Sequence, residues 1–437
     1  MSDGDTIYAL STAPGRAGIA VVRLSGLLAA PALRALAGTV PPPRHAQLAH
    51  FHDESGEEID RGLMLFFPAP ASVTGEDVAE FHVHGSRAVV AALFEALARL
   101  GLRLAEPGEF TRRAFLNGKL DLAEAEALAD LVAAETSAQR RQALRQLSGA
   151  LGQLTEAWRA RLIDAQARLE AAIDFPDEDL PAGLMDAARD EVRALSREIA
   201  AHLADDHRGE RLRDGIAIAI VGPPNAGKSS LMNALARREV AITAASAGTT
   251  RDVIEVALDL EGYPVLLADT AGLRASRDAV EEEGVRRARA RAASADLKLV
   301  LIDATRPEES DALADMVDRD AIVIANKIDL LPPGVAPRIG LPLSVKTGAG
   351  MDRLLERLGE EVAARFAPSA APLVTRARHR EALEACRAAL ERFGAAPLPE
   401  LAAEDLREAA RALGRITGRV DVEDMLDRLF AEFCIGK

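Results

Sequence analysis

Residues Gly222-Pro-Pro-Asn-Ala-Gly-Lys-Ser229 follow the apolar run Ile216–Val221, and their reading decides the fold. A strand, a glycine-rich turn and a helix opening at Lys228 aim consecutive backbone N–H groups and the positive end of a helix dipole at one point, which suits an anion. In that geometry Lys228 reaches the β- and γ-phosphates of a nucleotide and the Ser229 hydroxyl ligates Mg²⁺. Glycine is expected at 222 and 227 because the backbone must turn tightly and approach phosphate without a Cβ.

Working outward, the apolar run Val265–Ala268 ends in Asp269-Thr-Ala-Gly272. Asp269 is placed to hold Mg²⁺ through water, and the Gly272 N–H to bond the γ-phosphate. Between the two lies Gly248-Thr-Thr-Arg-Asp252, where Thr250 completes the Mg²⁺ shell while a γ-phosphate is present, as a switch segment does. A third run, Ala321–Ala325, leads into Asn326-Lys-Ile-Asp329. The Asp329 carboxylate accepts from guanine N1–H and N2–H₂, and leaving it unpaired under adenine costs a few kcal/mol, roughly 10²–10⁴ in selectivity. Ser344-Val-Lys346 supplies a base-supporting loop.

Four elements in this order, each at a strand end, imply a GTP-hydrolysing domain over about 213–365. Its nucleotide contacts are expected from Asn225, Ala226, Gly227, Lys228, Ser229 and Ser230, from Thr249, from Asp269, Thr270, Ala271 and Gly272, from Asn326, Lys327 and Asp329, and from Ser344, Val345 and Lys346. The residue after Asp-x-x-Gly is Leu273, so the water-orienting Gln of Ras-like enzymes is absent, and no arginine finger is identifiable.

Composition bounds the rest. A chain of 437 residues holds two or three domains, and 49% apolar content supports proper cores, although only 3% is aromatic. A net charge of −15 argues against a free-standing nucleic-acid binder. Arg140, Arg141 and Arg145 form either a local basic patch or a solvated helix face. Two cysteines without a Cys/His cluster give neither a disulfide framework nor zinc-site spacing. No secretory signal and no transmembrane helix is predicted, and a cytoplasmic location is expected.

The first ~117 residues mix strands (Ile19–Leu24, Leu63–Phe67, Val78–Val83) with an apolar helix, Ala88–Leu100, so an α/β unit is expected there. From Leu120 the apolar period becomes helical: Leu120, Ala123, Ala127 and Leu131, then Leu151, Leu154, Trp158, Ala165 and Leu169. It returns at Leu383, Cys386, Leu390 and Phe393, and again at Leu426, Leu429, Phe430 and Phe433. Helical segments on either side of the nucleotide domain most simply pack into one bundle. The expected fold is multidomain α/β plus α: an N-terminal α/β domain (1–117), a discontinuous helical-bundle domain (118–212 and 366–437), and a Ras-like P-loop GTPase domain (213–365) inserted into it. Cys386 lies on an apolar stripe and reads as core. Cys434, past the last helical turn, is a candidate nucleophile or a packed residue at a domain junction.

Beyond the nucleotide motifs stand Thr12-Ala-Pro-Gly-Arg-Ala-Gly-Ile-Ala-Val-Val-Arg-Leu-Ser-Gly26, Pro107-Gly-Glu-Phe-Thr-Arg-Arg-Ala-Phe-Leu-Asn-Gly-Lys-Leu-Asp121, Ile173-Asp-Phe-Pro176 and the terminal Phe433-Cys-Ile-Gly-Lys437. With these the chain resembles, nearly end to end, the MnmE (TrmE) family of tRNA-modification GTPases. The resemblance implies that K⁺ replaces the arginine finger, bound by Asn225 and a loop at 243–249 through Ala244, Ser246 and Thr249. Ala244 and Ser246 depart from the more usual Thr and Ile; the change is harmless if those positions ligate through carbonyls, and a side-chain ligand at 244 would be lost. The water-orienting acid falls in Val280-Glu-x-x-Gly284, giving Glu281, which acts with Lys228, Thr250 and Gly272 in catalysis.

The resemblance also implies a tetrahydrofolate (5,10-methylene or 5-formyl) bound by Arg23, by Glu80 in Glu80-Phe-His-Val-His-Gly85, by Lys119 and by Lys437, in an N-terminal domain that forms the homodimer. A pterin edge offers donors to a carboxylate, and a glutamate tail seeks cations. His82 and His84 share one strand face, but no third metal ligand accompanies them. The implied reaction modifies tRNA wobble uridine at C5, forming a (carboxymethyl)aminomethyl group from the one-carbon unit and ammonium or glycine. It is carried out in a heterotetramer with the FAD-dependent MnmG subunit, and GTP hydrolysis drives opening and closing of dimerising GTPase domains. Two alternatives share the nucleotide motifs: an Era-like ribosome-assembly GTPase, and a pure signalling switch.

Overall fold

The computed structural model describes residues 4–174, 183–238, 240–242, 255–269, 293–366, 374–420, 430 and 436. The chain divides into two compact units, one of residues 1–129, 147–164 and 406–437, the other of residues 130–146 and 165–405.

The first unit is built on β1 (Ile7–Leu10), β2 (Ala17–Ser25), β3 (Gln47–His52), β4 (Glu58–Phe67), β5 (Val78–Gly85) and β6 (Arg103–Leu104), in the order β3-β4-β5-β2-β1-β6. All neighbours are antiparallel except β1 and β6. The expected strands and helix overlap β2, β4, β5 and α2 (Arg87–Arg99). Alternation sorts the sheet into two faces. Ala20, Val22 and Leu24 of β2 and Ala79, Phe81 and Val83 of β5 pack into one core with Leu33 and Leu36 of α1 (Ala29–Ala37) and Leu93 and Leu97 of α2. Ser86 starts α2 by accepting the Val89 N–H at 3.1 Å.

The motif around Pro107 has a structural role. It forms α3 (Glu109–Leu116), where Arg113 pairs with Asp5 at 2.8 Å, Glu76 at 3.1 Å and Glu109 at 2.9 Å. Arg103 joins Asp5 at 2.7 Å and Glu109 at 2.6 Å. This network ties the start of β1, the 68–77 loop and α3 together.

Helices follow at α4 (Leu122–Ala133), α5 (Ser137–Leu147), α6 (Ala150–Asp174), α7 (Leu184–Leu203) and α8 (Arg208–Asp214). The expected stripe on α6 is buried at Leu151, Trp158, Ala165 and Leu169. In the second unit α7 packs on α11 (Ala377–Ala395), whose Leu383, Cys386 and Leu390 are buried as expected. α12 (Pro399–Thr417) follows, and of the last expected stripe only Phe430 is among the described residues.

The second unit also holds the nucleotide-type sheet: β7 (Ile216–Val221), β8 (Glu255–Leu260), β9 (Tyr263–Asp269), β10 (Leu297–Asp303), β11 (Ala321–Asn326) and β12 (Leu341–Pro342), in the order β12-β11-β10-β7-β9-β8. It is parallel but for β8. Its Ile218, Ile220, Val265, Leu299 and Ile324 share a core with Leu231 and Leu235 of α9 (Lys228–Ala236) and Leu354 and Leu358 of α10 (Met351–Phe366). A parallel sheet of this kind buries near-continuous apolar strands and presents its ligand site at their carboxyl ends. Among the described residues no helix is long and apolar enough to cross a membrane.

Candidate functional site

The carboxyl ends of β7, β10 and β11 bring together the phosphate loop, Asn326-Lys-Ile-Asp329 and the Ser344 loop. β7 ends at Val221, the loop turns through Asn225 at φ 63° and Gly227 at φ 104°, and α9 opens at Lys228. The Leu231 N–H donates to the Gly227 carbonyl at 2.8 Å, so α9 begins at the end of the loop with the positive end of its dipole facing it. Lys228 Nζ donates to the Gly222 and Pro223 carbonyls, both at 2.9 Å, holding its ammonium over the loop.

The loop glycines answer to their protein neighbours as well as to phosphate. A Cβ at 222 would overlap the Leu301 carbonyl of β10, and one at 227 would overlap the Asn326 amide.

Asn326 is 3% exposed, and its amide binds two other loops. Nδ2 donates to the Ala226 carbonyl at 2.8 Å, and Oδ1 accepts the Val345 N–H at 3.1 Å. Its position therefore fixes the phosphate loop against the base loop. Lys327 adopts φ 67° and donates to Asp303 Oδ2 at 2.7 Å. Burial opposes ionisation of Asp303, but Lys327 and Thr305 outweigh it and hold the carboxyl below the usual range. Asp303 was not singled out from sequence; the available signal was an acid closing the apolar run Leu299–Ile302. Asp329 is exposed, with Oδ1 accepting from the buried Ser344 hydroxyl at 2.7 Å, so its orientation for a base edge is set in advance. Lys346, two residues after Ser344, is exposed, Ser229 and Ser230 lie in the first turn of α9, and Asp269 closes β9. Ala244, Ser246, Thr249, Thr250, Thr270, Ala271, Gly272, Glu281, Cys434 and Lys437 lie outside the described residues.

A second polar centre sits on the sheet of the first unit, on the face opposite its helices. Arg23 and Glu80 are direct cross-strand partners, joined by Arg23 Nε to Glu80 Oε1 at 2.9 Å. His82 Nε2 lies 3.0 Å from Glu80 Oε2. Burial pushes the Glu80 carboxyl up, but the His82 hydrogen bond and the Arg23 charge bring it below the usual range. Behind this pair Ser25 Oγ donates to Glu76 at 2.7 Å and touches Thr74 Oγ1 at 2.6 Å, which fastens the 68–77 loop over the end of β2. Lys119 is exposed and donates to the Pro70 carbonyl of that loop at 3.0 Å. Ser11 Oγ donates to the Gly436 carbonyl at 3.0 Å, which brings the chain terminus to the end of β1. His84, 69% exposed, pairs with Asp60 at 2.9 Å. The contacts of His82, Ser25, Thr74 and Glu76 carried no sequence signal, since they depend on strand register and on how the 68–77 loop folds over β2.

A family model for the N-terminus of the GTP-binding protein TrmE matches residues 6–119, and one for the MnmE helical domain matches residues 122–434. The tRNA modification GTPase MnmE of Paramagnetospirillum magneticum is 59% identical over 439 residues, covering 99% of this chain and 100% of its own. That of Parvibaculum lavamentivorans is 58% identical over 443 residues, with 99% and 100% covered. Among solved structures, Era of Aquifex aeolicus is 27% identical over 42% of this chain and 69% of its own, with a TM-score of 0.28. The end-to-end match displaces the ribosome-assembly and signalling alternatives. With the phosphate loop, Asn326-Lys-Ile-Asp329 and the Ser344 loop gathered at the carboxyl ends of the strands and both family models matched, the chain belongs to the MnmE (TrmE) family of tRNA modification GTPases.

Proposed function

We propose that this GTPase acts on C5 of the tRNA wobble uridine with a one-carbon unit from a tetrahydrofolate, in a heterotetramer with an FAD-dependent subunit of the MnmG kind. The observation that carries the reading is the Arg23–Glu80 pair, oriented by His82 and flanked by the 68–77 loop and the Gly436 tail. A carboxylate held ionised accepts the N–H donors of a pterin edge, and nearby cations, Lys119 and Lys437, suit a glutamate tail. On the same sheet face Ile19 is 62%, Leu48 71% and Leu63 40% exposed, a patch that suits a second copy of the chain. The domain assignment is 1–117 for folate binding and dimerisation, 118–212 with 366–437 for the helical part, and 213–365 for GTP hydrolysis.

In the nucleotide site Ser229 and Thr250 would hold Mg²⁺. Asn225, exposed in its left-handed turn, fits a cation ligand at the loop, with Ala244, Ser246 and Thr249 as its partners for K⁺. When bound, the two cations neutralise charge that develops on the transferring phosphoryl group. Lys228 holds the β- and γ-phosphates, the Gly272 N–H orients the γ-phosphate, and Glu281 positions the attacking water.

Calorimetric titration of the full, C-terminally untagged chain with 5-formyl-tetrahydrofolate tests the reading. Saturable binding that Arg23→Ala abolishes supports it. An absence of binding by the folded wild-type protein refutes the folate assignment and leaves the GTPase intact.

A further inference from the structure

The turn between β8 and β9 is over-determined. Leu260 pairs with Tyr263, leaving Glu261 and Gly262 as a two-residue loop with φ 52° and 88°. Two positive φ values are the requirement of the hairpin turn whose twist matches its strands. Asp259 Oδ1 accepts the Gly262 N–H at 2.7 Å. Glu261 lies over Gly359 of α10, where a Cβ would come within 3.1 Å of its carboxyl.

The Gly262 carbonyl accepts the Ala138 N–H at 2.9 Å. Ala138 belongs to the first turn of α5, whose N–H groups have no intrahelical acceptor. Thr136 and Gln139 form a reciprocal cap there: Gln139 Oε1 accepts the Thr136 N–H at 3.1 Å, and Thr136 Oγ1 accepts the Gln139 N–H at 3.4 Å. The hairpin carbonyl completes that cap, and Ala138 is buried in the core of the nucleotide sheet. α5 is tied in turn to the chain entering β7, through Gln139 Nε2 to the Arg213 carbonyl at 3.0 Å and Gln142 Nε2 to the Gly209 carbonyl at 2.9 Å. Asp130 accepts from Arg213 Nε at 3.1 Å and from Arg376 Nη2 at 2.7 Å, so one carboxylate holds both crossings into and out of the nucleotide-binding part.

We propose that the Gly262–Ala138 contact is the output of the nucleotide site: the β8–β9 hairpin carries the GTP or GDP state into the first turn of α5, with Gly262 and Ser137 as its positioning residues. β8 begins at Glu255, after the Thr250 motif, and β9 ends on Asp269, so the hairpin joins the two segments that respond to a γ-phosphate. Its ladder is unbroken from Glu255–Ala268 to Leu260–Tyr263. A paired ribbon of this kind moves as one piece, and its strands carry a displacement over about 20 Å to the turn. Residues 240–242 add to β8 through Ile242 N–H to the Ala257 carbonyl and Asp259 N–H to the Val240 carbonyl, both at 2.8 Å. A cavity of about 120 Å³ lined by Asp130, Gln139, Gln142 and Thr375 gives α5 room to respond.

The geometry supplies a compensating pair of substitutions. A Cβ at 262 would overlap Ser137 Oγ, while the Ser137 Cβ lies at an ordinary 3.5 Å. Gly262→Ala therefore sets a methyl group against Ser137 Oγ, which Arg141 Nη1 holds at 3.0 Å, and Ser137→Ala in the same chain removes the collision. The strain of alanine at a positive φ is common to both variants and cancels between them.

The test is amide hydrogen exchange of the full chain with Mg²⁺ and K⁺, comparing GDP with a non-hydrolysable GTP analogue over the peptide spanning 136–147. In the wild type the exchange of the first α5 turn changes about threefold or more between the two states. Gly262→Ala loses that difference, Gly262→Ala/Ser137→Ala regains it, and affinity for GDP stays within about twofold in all three. Identical exchange in the two wild-type states overturns the proposal without any variant. A nucleotide-dependent difference that persists in folded Gly262→Ala, or one that the second substitution fails to restore, overturns it as well.

Discussion

Asn326→Ala isolates the part of the nucleotide site that the protein builds before any ligand arrives. The substitution deletes the donor to the Ala226 carbonyl and the acceptor for the Val345 N–H. Ala226 is 1% exposed, so its carbonyl is left without water, a loss of about 1–3 kcal/mol. Val345 is half-buried and its N–H is partly rescued by solvent, which reduces that loss to about 1 kcal/mol. Together the phosphate and base loops lose about 2–4 kcal/mol of mutual support, which binding must then restore, so nucleotide Kd rises by roughly 30- to 700-fold. Both loops are affected, so GTP and GDP weaken alike. The assay is fluorescence titration with methylanthraniloyl-labelled GDP and a GTP analogue, with circular dichroism to confirm folding. A folded variant whose Kd rises less than about fivefold would refute the view that Asn326 works by joining the two loops.

Three further outcomes follow from single side chains. Asp329→Asn replaces an acceptor-only group by an amide, so the ratio of hydrolysis rates for guanosine and xanthosine triphosphates shifts by about 10² or more toward xanthosine; an unchanged ratio sinks the base-edge role. Burial raises the Asp5 and Glu109 carboxyls, but hydrogen bonds from Arg103 and Arg113 bring both below the usual range. The unfolded chain therefore binds protons first, and their stabilisation is complete above about pH 5 and drains as pH falls through the unfolded and then the lowered folded values. Thermal unfolding followed down to about pH 3 shows this acid sensitivity in the wild type, and Arg113→Met flattens it; parallel losses in both proteins count against the network. Burial pushes the Cys386 thiol up to about 12. Iodoacetamide at about pH 8 thus leaves Cys386 unmodified in the native protein, read by peptide mass spectrometry, and alkylates it only on unfolding.

What sequence could disclose follows a physical line. β7 was legible to the residue because a buried parallel strand is continuously apolar and a phosphate loop announces its end. The place of Asp329 was legible because a polar motif closing an apolar strand falls at that strand's carboxyl end. Asn326 lay inside the same motif, yet its work is to bond Ala226 and Val345, and those partners are defined only when β7, β11 and the base loop are folded. The pairing of Arg23 with Glu80 needed the register of two strands. α5 was harder still: its Arg140, Arg141, Gln142 and Arg145 hide the period, and only Ala138, Ala143 and Gln146 are buried. The turn glycine at 262 joins these levels. Hairpin geometry explains a residue of positive φ there, and Asn would meet it as Gly does. The reason for glycine itself is the approach of Ser137, a residue more than a hundred positions earlier in another helical segment. The Gly262 carbonyl itself accepts the Ala138 N–H at 2.9 Å, so here the two parts of the chain touch backbone to backbone. A contact with no intervening side chain has little slack, so a displacement of the hairpin reaches the first turn of α5 directly.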